Sequence, residues 1–203
     1  GSIAATARGI GTEECRATLA TLFGDVTTEA GEPSFTGPIR LGGLECGGAR
    51  VDRADIAARL SLPPSLGAVN GEFDIAALGL SGAGVSAQTL AGDGRVGWSD
   101  GVFNLRHDLA LGTVDLGFAR LARIRADGAV RSVEGFARSE WDAELAGEGI
   151  ALAAFEGAQL AALKESFKGT LLAPLFGRFA RNFEAAMEDG TLRADLTMRD
   201  DGA

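Results

Sequence analysis

Apolar and polar residues alternate along most of this chain, and most regularly at Val102–Leu111, V-F-N-L-R-H-D-L-A-L. Phe103, Leu105, His107, Leu109 and Leu111 share one parity, while Asn104, Arg106, Asp108 and Ala110 share the other. Successive side chains of an extended strand point to opposite faces, so this run predicts a strand with one apolar and one charged face. Similar runs precede it. Ile3–Ile10 predicts a short strand, and Phe35, Gly37, Ile39 and Leu41 a second, in which Pro38 marks an edge or a bulge. Ala54, Ile56, Ala58, Leu60 and Leu62 share a face and stop at Pro63-Pro64, and Val69, Gly71, Phe73, Ile75 and Ala77 share the next. Gln88–Trp98 is extended, and Ser99-Asp100-Gly101 is a hairpin turn into the central strand.

After Leu111 the phase shifts at Gly112-Thr113, and Val114, Leu116 and Phe118 carry the apolar face on. Leu121, Ile124, Val130 and Val133 belong to two strands around an Asp127-Gly128 turn, and Phe136–Leu152 continues in the same style. Leu192, Ala194, Leu196 and Met198 form a closing strand. Two stretches read as helix. Thr12-Glu13-Glu14 supplies an N-cap and acidic first turn, with Cys15, Leu19 and Leu22 at helical spacing, so Glu13–Phe23 is expected to be helical; Asp25–Pro33 is then a polar loop. Between Gln159 and Met187 apolar residues recur every three or four positions, and Gly169 and Pro174 divide the run into two helices. The expected fold is mainly β with an α insert (α+β): one domain over residues 1–203, an elongated curved antiparallel sheet of eight to ten strands. Its apolar concave face is partly covered by a helical segment at 157–189.

Composition narrows the function. A formal net charge of -9, with no Lys/Arg cluster, argues against nucleic acid and anionic membrane surfaces. No run of about 18 apolar residues is present to span a bilayer, and no signal peptide opens the chain. The leading Gly1-Ser2 reads as a cloning scar, which makes the chain a piece of a longer protein. Gly92-Asp93-Gly94-Arg95-Val96-Gly97 matches G-x-G-x-x-G, but a strand rather than a helix follows, so no dinucleotide site is expected. His107 is the only histidine and sits among leucines, as a hydrogen-bonded core residue would. No catalytic residue, metal site or cofactor is expected, and the chain does not read as an enzyme. Cys15 and Cys46 have no metal-ligand spacing; they are either two small buried residues or a disulfide, and the latter implies an oxidising compartment such as the periplasm.

The strings Ser34–Val51, Ala54–Leu62, Gly71–Ala77 and Val102–Leu116 combine Ala/Gly-rich amphipathic strands, one aliphatic face and charged outer positions. This texture resembles the AsmA-like proteins, and within them the YdbH family of Gram-negative envelopes, relatives of TamB. The resemblance implies a segment of a bridge-like lipid-transfer protein: a β-groove in the periplasm that shields acyl chains moving between the membranes, in a full-length protein anchored in the inner membrane.

Two helices of some thirty residues would cover only part of a sheet of eight or more strands spaced about 4.8 Å apart, so either the sheet curls on itself or an apolar strip remains for acyl chains. The expected groove residues are Ile39, Leu41, Ile56, Leu60, Phe73, Ile75, Phe103, Leu105, Leu109, Leu111, Leu116 and Phe118. The expected lid or cap is Phe167, Leu171, Phe176, Phe179 and Phe183. The other expectation is a structural or scaffolding envelope domain with a dry core that binds only protein partners.

Overall fold

The structure, a computed structural model, describes residues 1–12, 15–63, 67–117, 119–133, 138–152 and 190–200. These residues form ten antiparallel strands in one sheet: β1 (Ser2–Gly11), β2 (Cys15–Glu29), β3 (Glu32–Cys46), β4 (Ala49–Ser61), β5 (Ala68–Gly82), β6 (Val85–Ser99), β7 (Val102–Asp115), β8 (Ala119–Val133), β9 (Arg138–Leu152) and β10 (Thr191–Asp200). Each strand pairs with its neighbours in sequence, so the order is β1 to β10 without a crossover. The sheet is open and curved. Four tight turns make this possible: Ala30-Gly31, Gly47-Gly48, Ala83-Gly84 and Asp100-Gly101 each place both central residues at positive φ. That is the two-residue turn whose twist matches the strands it joins.

The mixed α+β class does not hold: no helix occurs among the described residues, and the fold they form is all-β. The segment 157–189, with Phe167, Leu171, Phe176, Phe179 and Phe183, lies outside the described residues. The helix expected at Glu13–Phe23 is replaced from Cys15 on by β2, its first two residues lying outside the described ones, and the loop expected at Asp25–Pro33 by the end of β2, a tight turn and the start of β3. The turn expected at Asp127-Gly128 lies mid-strand in β8, with Asp127 paired to Asp108 on one side and Glu144 on the other. Asp-Gly is a strong turn signal, but the alternation runs through it unbroken, and the strand period prevails over the dipeptide.

Pro38 sits inside the sheet rather than at its edge. Its strand is paired to β4 at Pro38↔Ala57, but on the β2 side the ladder is interrupted between Leu22↔Ile39 and Asp25↔Thr36. The missing N–H therefore costs no ladder bond on that side.

One irregularity recurs across the whole sheet. In all eight strand pairs from β1–β2 to β8–β9 the ladder skips one residue on each strand at the same level. The skipped residues form a line: Gly9, Thr18, Gly43, Asp52, Gly79, Gln88, Thr113, Ala122 and Gly149. On the odd-numbered strands these have positive φ (62° at Gly9, 58° at Gly43, 65° at Gly79, 50° at Thr113 and 67° at Gly149). A β-branched residue such as Thr113 adopts this conformation only under strain.

The line is a crease, and it shifts the apolar parity of every strand it crosses. Apolar residues two apart become three apart there, as in Leu41 to Leu44, Ala77 to Leu80 and Leu111 to Val114. Beyond the crease lies the driest cluster among the described residues, Ala87, Val114, Leu116, Ala119 and Leu121, with Leu80, Val85, Leu111, Ile124 and Ile150 against it. Leu121 and Val114 are 1% and 2% exposed.

Candidate functional site

Registers turn the strand parities into rows that run across the sheet. One row is Ile39, Ile56, Ile75, Gly92, Leu109, Ala126 and Leu145, one residue per strand from β3 to β9. Its neighbour is Leu41, Ala54, Ala77, Leu90, Leu111 and Ile124, and on the other flank run Phe35, Leu60, Gly71, Val96, Leu105, Val130 and Trp141. Phe73 and His107 share the row between the first and the last of these. Trp98 and Phe103 pair directly farther out. The result is one continuous apolar face.

Ile39, Leu41, Ile56, Leu60, Phe73, Ile75, Phe103, Leu105, Leu109 and Leu111 all lie on this face, and all are only half-buried. Above the crease the buried residues include Ala54, Ala58 and Ala77 at 3–4% exposure, Gly24 and Gly94, and two larger ones, Phe35 and Val130, at 9% and 6%. A small side chain is shadowed by its larger neighbours, so its burial needs no second layer. The leucines and isoleucines, which would bury well under such a layer, stay half-open. Leu116 differs from the other expected groove residues because it belongs to the dry cluster below the crease. Phe118 lies outside the described residues.

Glycines on this face make room for the rings of adjacent strands. A Cβ on Gly24 would come within 2.6 Å of the Phe35 ring, and one on Gly94 within 2.6 Å of the Phe73 ring. Each ring lies against bare backbone, as aromatic side chains do over glycine in sheets. His107 is flanked in register by Gly94 and Gly128, and its Nδ1 lies 3.3 Å from the carbonyl oxygen of Ala126, which accepts from an N–H there. Tethered in this way, His107 is a packed residue with a backbone partner.

The opposite face is charged. Arg53 and Arg40 both pair with Asp55, at 2.7 and 3.2 Å, and hydrogen bonding from Arg53 holds the Asp55 carboxyl below its usual range. The Gly117 backbone N–H, and then Arg120, do the same for Asp115 at the β7–β8 turn. A carboxyl whose folded pKa is lowered stabilises the fold at neutral pH, and that contribution fades as pH falls through the lowered value.

Through the middle of this face runs a row that no local pattern announces. Asp74, Asp93, Asp108, Asp127, Glu144 and Asp195 stand opposite one another, one per strand from β5 to β10. Among the described residues no ion pair reaches them, and no three acidic, Cys or His groups converge as a metal site. A depression of about 700 Å³ lies along the row from Asp93 to Asp195, lined also by Arg95, Arg106, Asp142 and His107, and none of Ile75, Leu105 and Leu109 takes part in it.

Like charges directly opposite each other in a ladder cost about 0.2–1 kcal/mol per pair. Asp108→Asn, which relieves two such pairs, is therefore expected to stabilise the fold by about 0.5–2 kcal/mol at low salt. The gain should shrink in molar salt, where the repulsion is already screened. Urea titrations at the two ionic strengths measure it; a destabilised Asp108→Asn at low salt would show that the row is not repulsive.

Cys15 and Cys46 stand opposite each other on β2 and β3 and are joined by a disulfide, with Cα atoms 4.2 Å apart. The bond closes the β2–β3 hairpin at its open end, next to the Gly47-Gly48 turn into β4. No known protein family, curated protein or solved structure matches this chain.

Proposed function

We propose that the apolar face of this sheet holds the acyl chains of lipids, and that the chain is a periplasmic segment of a lipid-transfer protein which shields those tails between membranes. The observation that carries this reading is the pairing of a face apolar in row after row from β3 to β9 with large side chains left half-open along it. A lipid tail is the economical cover for such a surface, because it needs area and no specific polar partner. At about 25 cal/mol per Å² of apolar surface removed from water, a tail laid along one row gains several kcal/mol without a head-group site.

The rows run perpendicular to the strands, so a tail lying along one row meets equivalent side chains on strand after strand and can slide without a large barrier. The charged opposite face stays in water. The arrangement calls for no cofactor and no chemical step. A structural envelope domain with a dry core finds its support in the cluster below the crease, around Val114 and Leu121, and in the buried Phe35 and Val130 above it.

An environment-sensitive fluorescent fatty acid tests the reading. Titrated with delipidated protein, it is expected to brighten saturably and to be displaced by unlabelled phospholipid. Ile75→Asn and Leu109→Asn, both on the half-open row, should weaken binding about tenfold or more, the loss of roughly 1.4 kcal/mol of apolar contact. Binding unaffected by either substitution would place the fatty acid elsewhere and overturn the proposal.

A further inference from the structure

His107 has two ring nitrogens, and the Ala126 carbonyl engages one of them. A carbonyl oxygen can only accept, so Nδ1 carries the proton of that bond, and in the neutral ring Nε2 keeps its lone pair. Nε2 has no protein partner among the described residues. Yet no buried side-chain nitrogen or oxygen among them lacks one, so Nε2 is open to solvent.

The place of this nitrogen on the face is unusual. In the four apolar rows above the crease, those of Leu41, Ile39, Phe73 and Phe35, His107 is the one ionisable side chain among the described residues. Its chain neighbours Arg106 and Asp108 belong to the opposite face. The two residues that flank it across the ladder are glycines. The Gly94 side is filled by the Phe73 ring, which a Cβ on Gly94 would meet at 2.6 Å. On the Gly128 side the nearest side-chain atom to such a Cβ is the methyl carbon of Ala143, at 3.0 Å. A shelf of bare backbone and methyl therefore lies beside the imidazole.

We infer that His107 anchors the carboxyl group of a free fatty acid whose tail lies along the apolar rows. Such an anchor rests on the reading of this face as a lipid site, and it selects among lipids. A carboxylic acid suits Nε2 in either protonation state of the pair. Arriving protonated, it donates its O–H to the lone pair; arriving ionised, it accepts from the Nε2–H of the imidazolium. One proton lies between the two groups in both cases, and no other reactant is needed.

An ester carbonyl only accepts, so it sets a lone pair against the lone pair of the neutral ring. An esterified tail is then held by area alone, and a fatty acid by area and this bond. From β7 the row of Leu109 runs through Gly92, Ile75 and Ile56 to Ile39. Four strand spacings of about 4.8 Å give the tail about 19 Å of apolar surface along it.

Dodecanoic acid and its methyl ester, each used to displace the fluorescent fatty acid from delipidated protein, measure the bond. The ratio of acid to ester affinity is expected to fall about tenfold or more in His107→Leu, the loss of one hydrogen bond to a charged group. Taking the ratio cancels the difference in hydrophobicity between the two ligands. Because His107 is the only histidine, its ring protons give a single set of NMR signals in the wild-type protein, where no variant has to fold. Those signals should move toward their imidazolium positions with the acid and not with the ester. An unchanged ratio in a His107→Leu that keeps the wild-type circular dichroism spectrum overturns the inference, and so do ring signals that respond alike to acid and ester. In both cases the lipid reading survives, because the two ligands still displace the probe. If neither displaces it from the wild type, the face is no lipid site and the anchor falls with it.

Discussion

Leu105→Asp is expected to leave the protein folded and to abolish fatty-acid binding. Leu105 stands in the row that runs from Phe35 through Val96 and Val130 to Trp141, and it is only half-buried. A carboxylate there keeps contact with water once the acyl chain is gone. The cost to the fold is then the partial loss of one leucine's burial, about 1–2 kcal/mol, and a melting temperature lower by about 2–8 °C for a chain of this size. The charge nevertheless sits in the path of any tail lying along that row, where it could be covered only unpaired and dry, at a cost of several kcal/mol.

Leu121→Asp is the matched contrast. Leu121 is 1% exposed within the cluster below the crease, so its carboxylate would have to be buried without a partner, and the variant should fail to fold. Thermal melts by circular dichroism together with the fluorescent titration separate the two. If Leu105→Asp unfolds as Leu121→Asp does, the face above the crease is core, and the dry-core reading of the domain prevails.

Removing the disulfide is expected to cost about 3–4 kcal/mol. Cys15 and Cys46 are 31 residues apart in sequence, and the entropy of closing a loop of that length in the unfolded chain has about this magnitude. The melting temperature of the reduced protein, or of Cys15→Ser/Cys46→Ser, should fall by about 10 °C. Thiol titration of denatured, unreduced protein should find no free cysteine. Such a bond persists in an oxidising compartment and is rare in the cytosol, so two titratable thiols in protein matured in the periplasm would count against the proposed location. A melting temperature unmoved by reduction would mean that the β2–β3 hairpin is closed equally well by its ladder alone.

Much of this architecture is legible in the residue pattern because the sheet is a simple meander, in which local alternation and local turns carry nearly all the topology. Asp100-Gly101 turns where its dipeptide says it should, and Val102–Leu111 lies within the strand that its parity predicts. The phase shift visible at Gly112-Thr113 is one crossing of a crease that runs through nine strands. That crease also explains why the sequence of β2 imitates a helix. Cys15, Ala17, Ala20 and Leu22 share the apolar face with a three-residue step at Thr18, and a two-period pattern with one such step imitates helical spacing. Leu19, counted toward the helix, in fact projects from the other face and is exposed.

The features that stayed hidden depend on register between strands. Asp74, Asp93, Asp108, Asp127, Glu144 and Asp195 are individually ordinary solvent-face acids; only the ladder sets them opposite one another. The same holds for Phe35 and Phe73, whose glycine partners lie on adjacent strands, and for His107 between Gly94 and Gly128. Pairing decides which side chains meet, and a single strand's sequence contains only half of each pair.

Occupation of the half-open apolar face by lipid tails is read out by native mass spectrometry of protein purified from a Gram-negative periplasm without detergent. Adducts at phospholipid or fatty-acid mass are expected, lost on mild activation and missing from folded Leu105→Asp prepared in the same way. Wild-type protein that carries no lipid in repeated preparations, and takes none up from phospholipid vesicles, would contradict it.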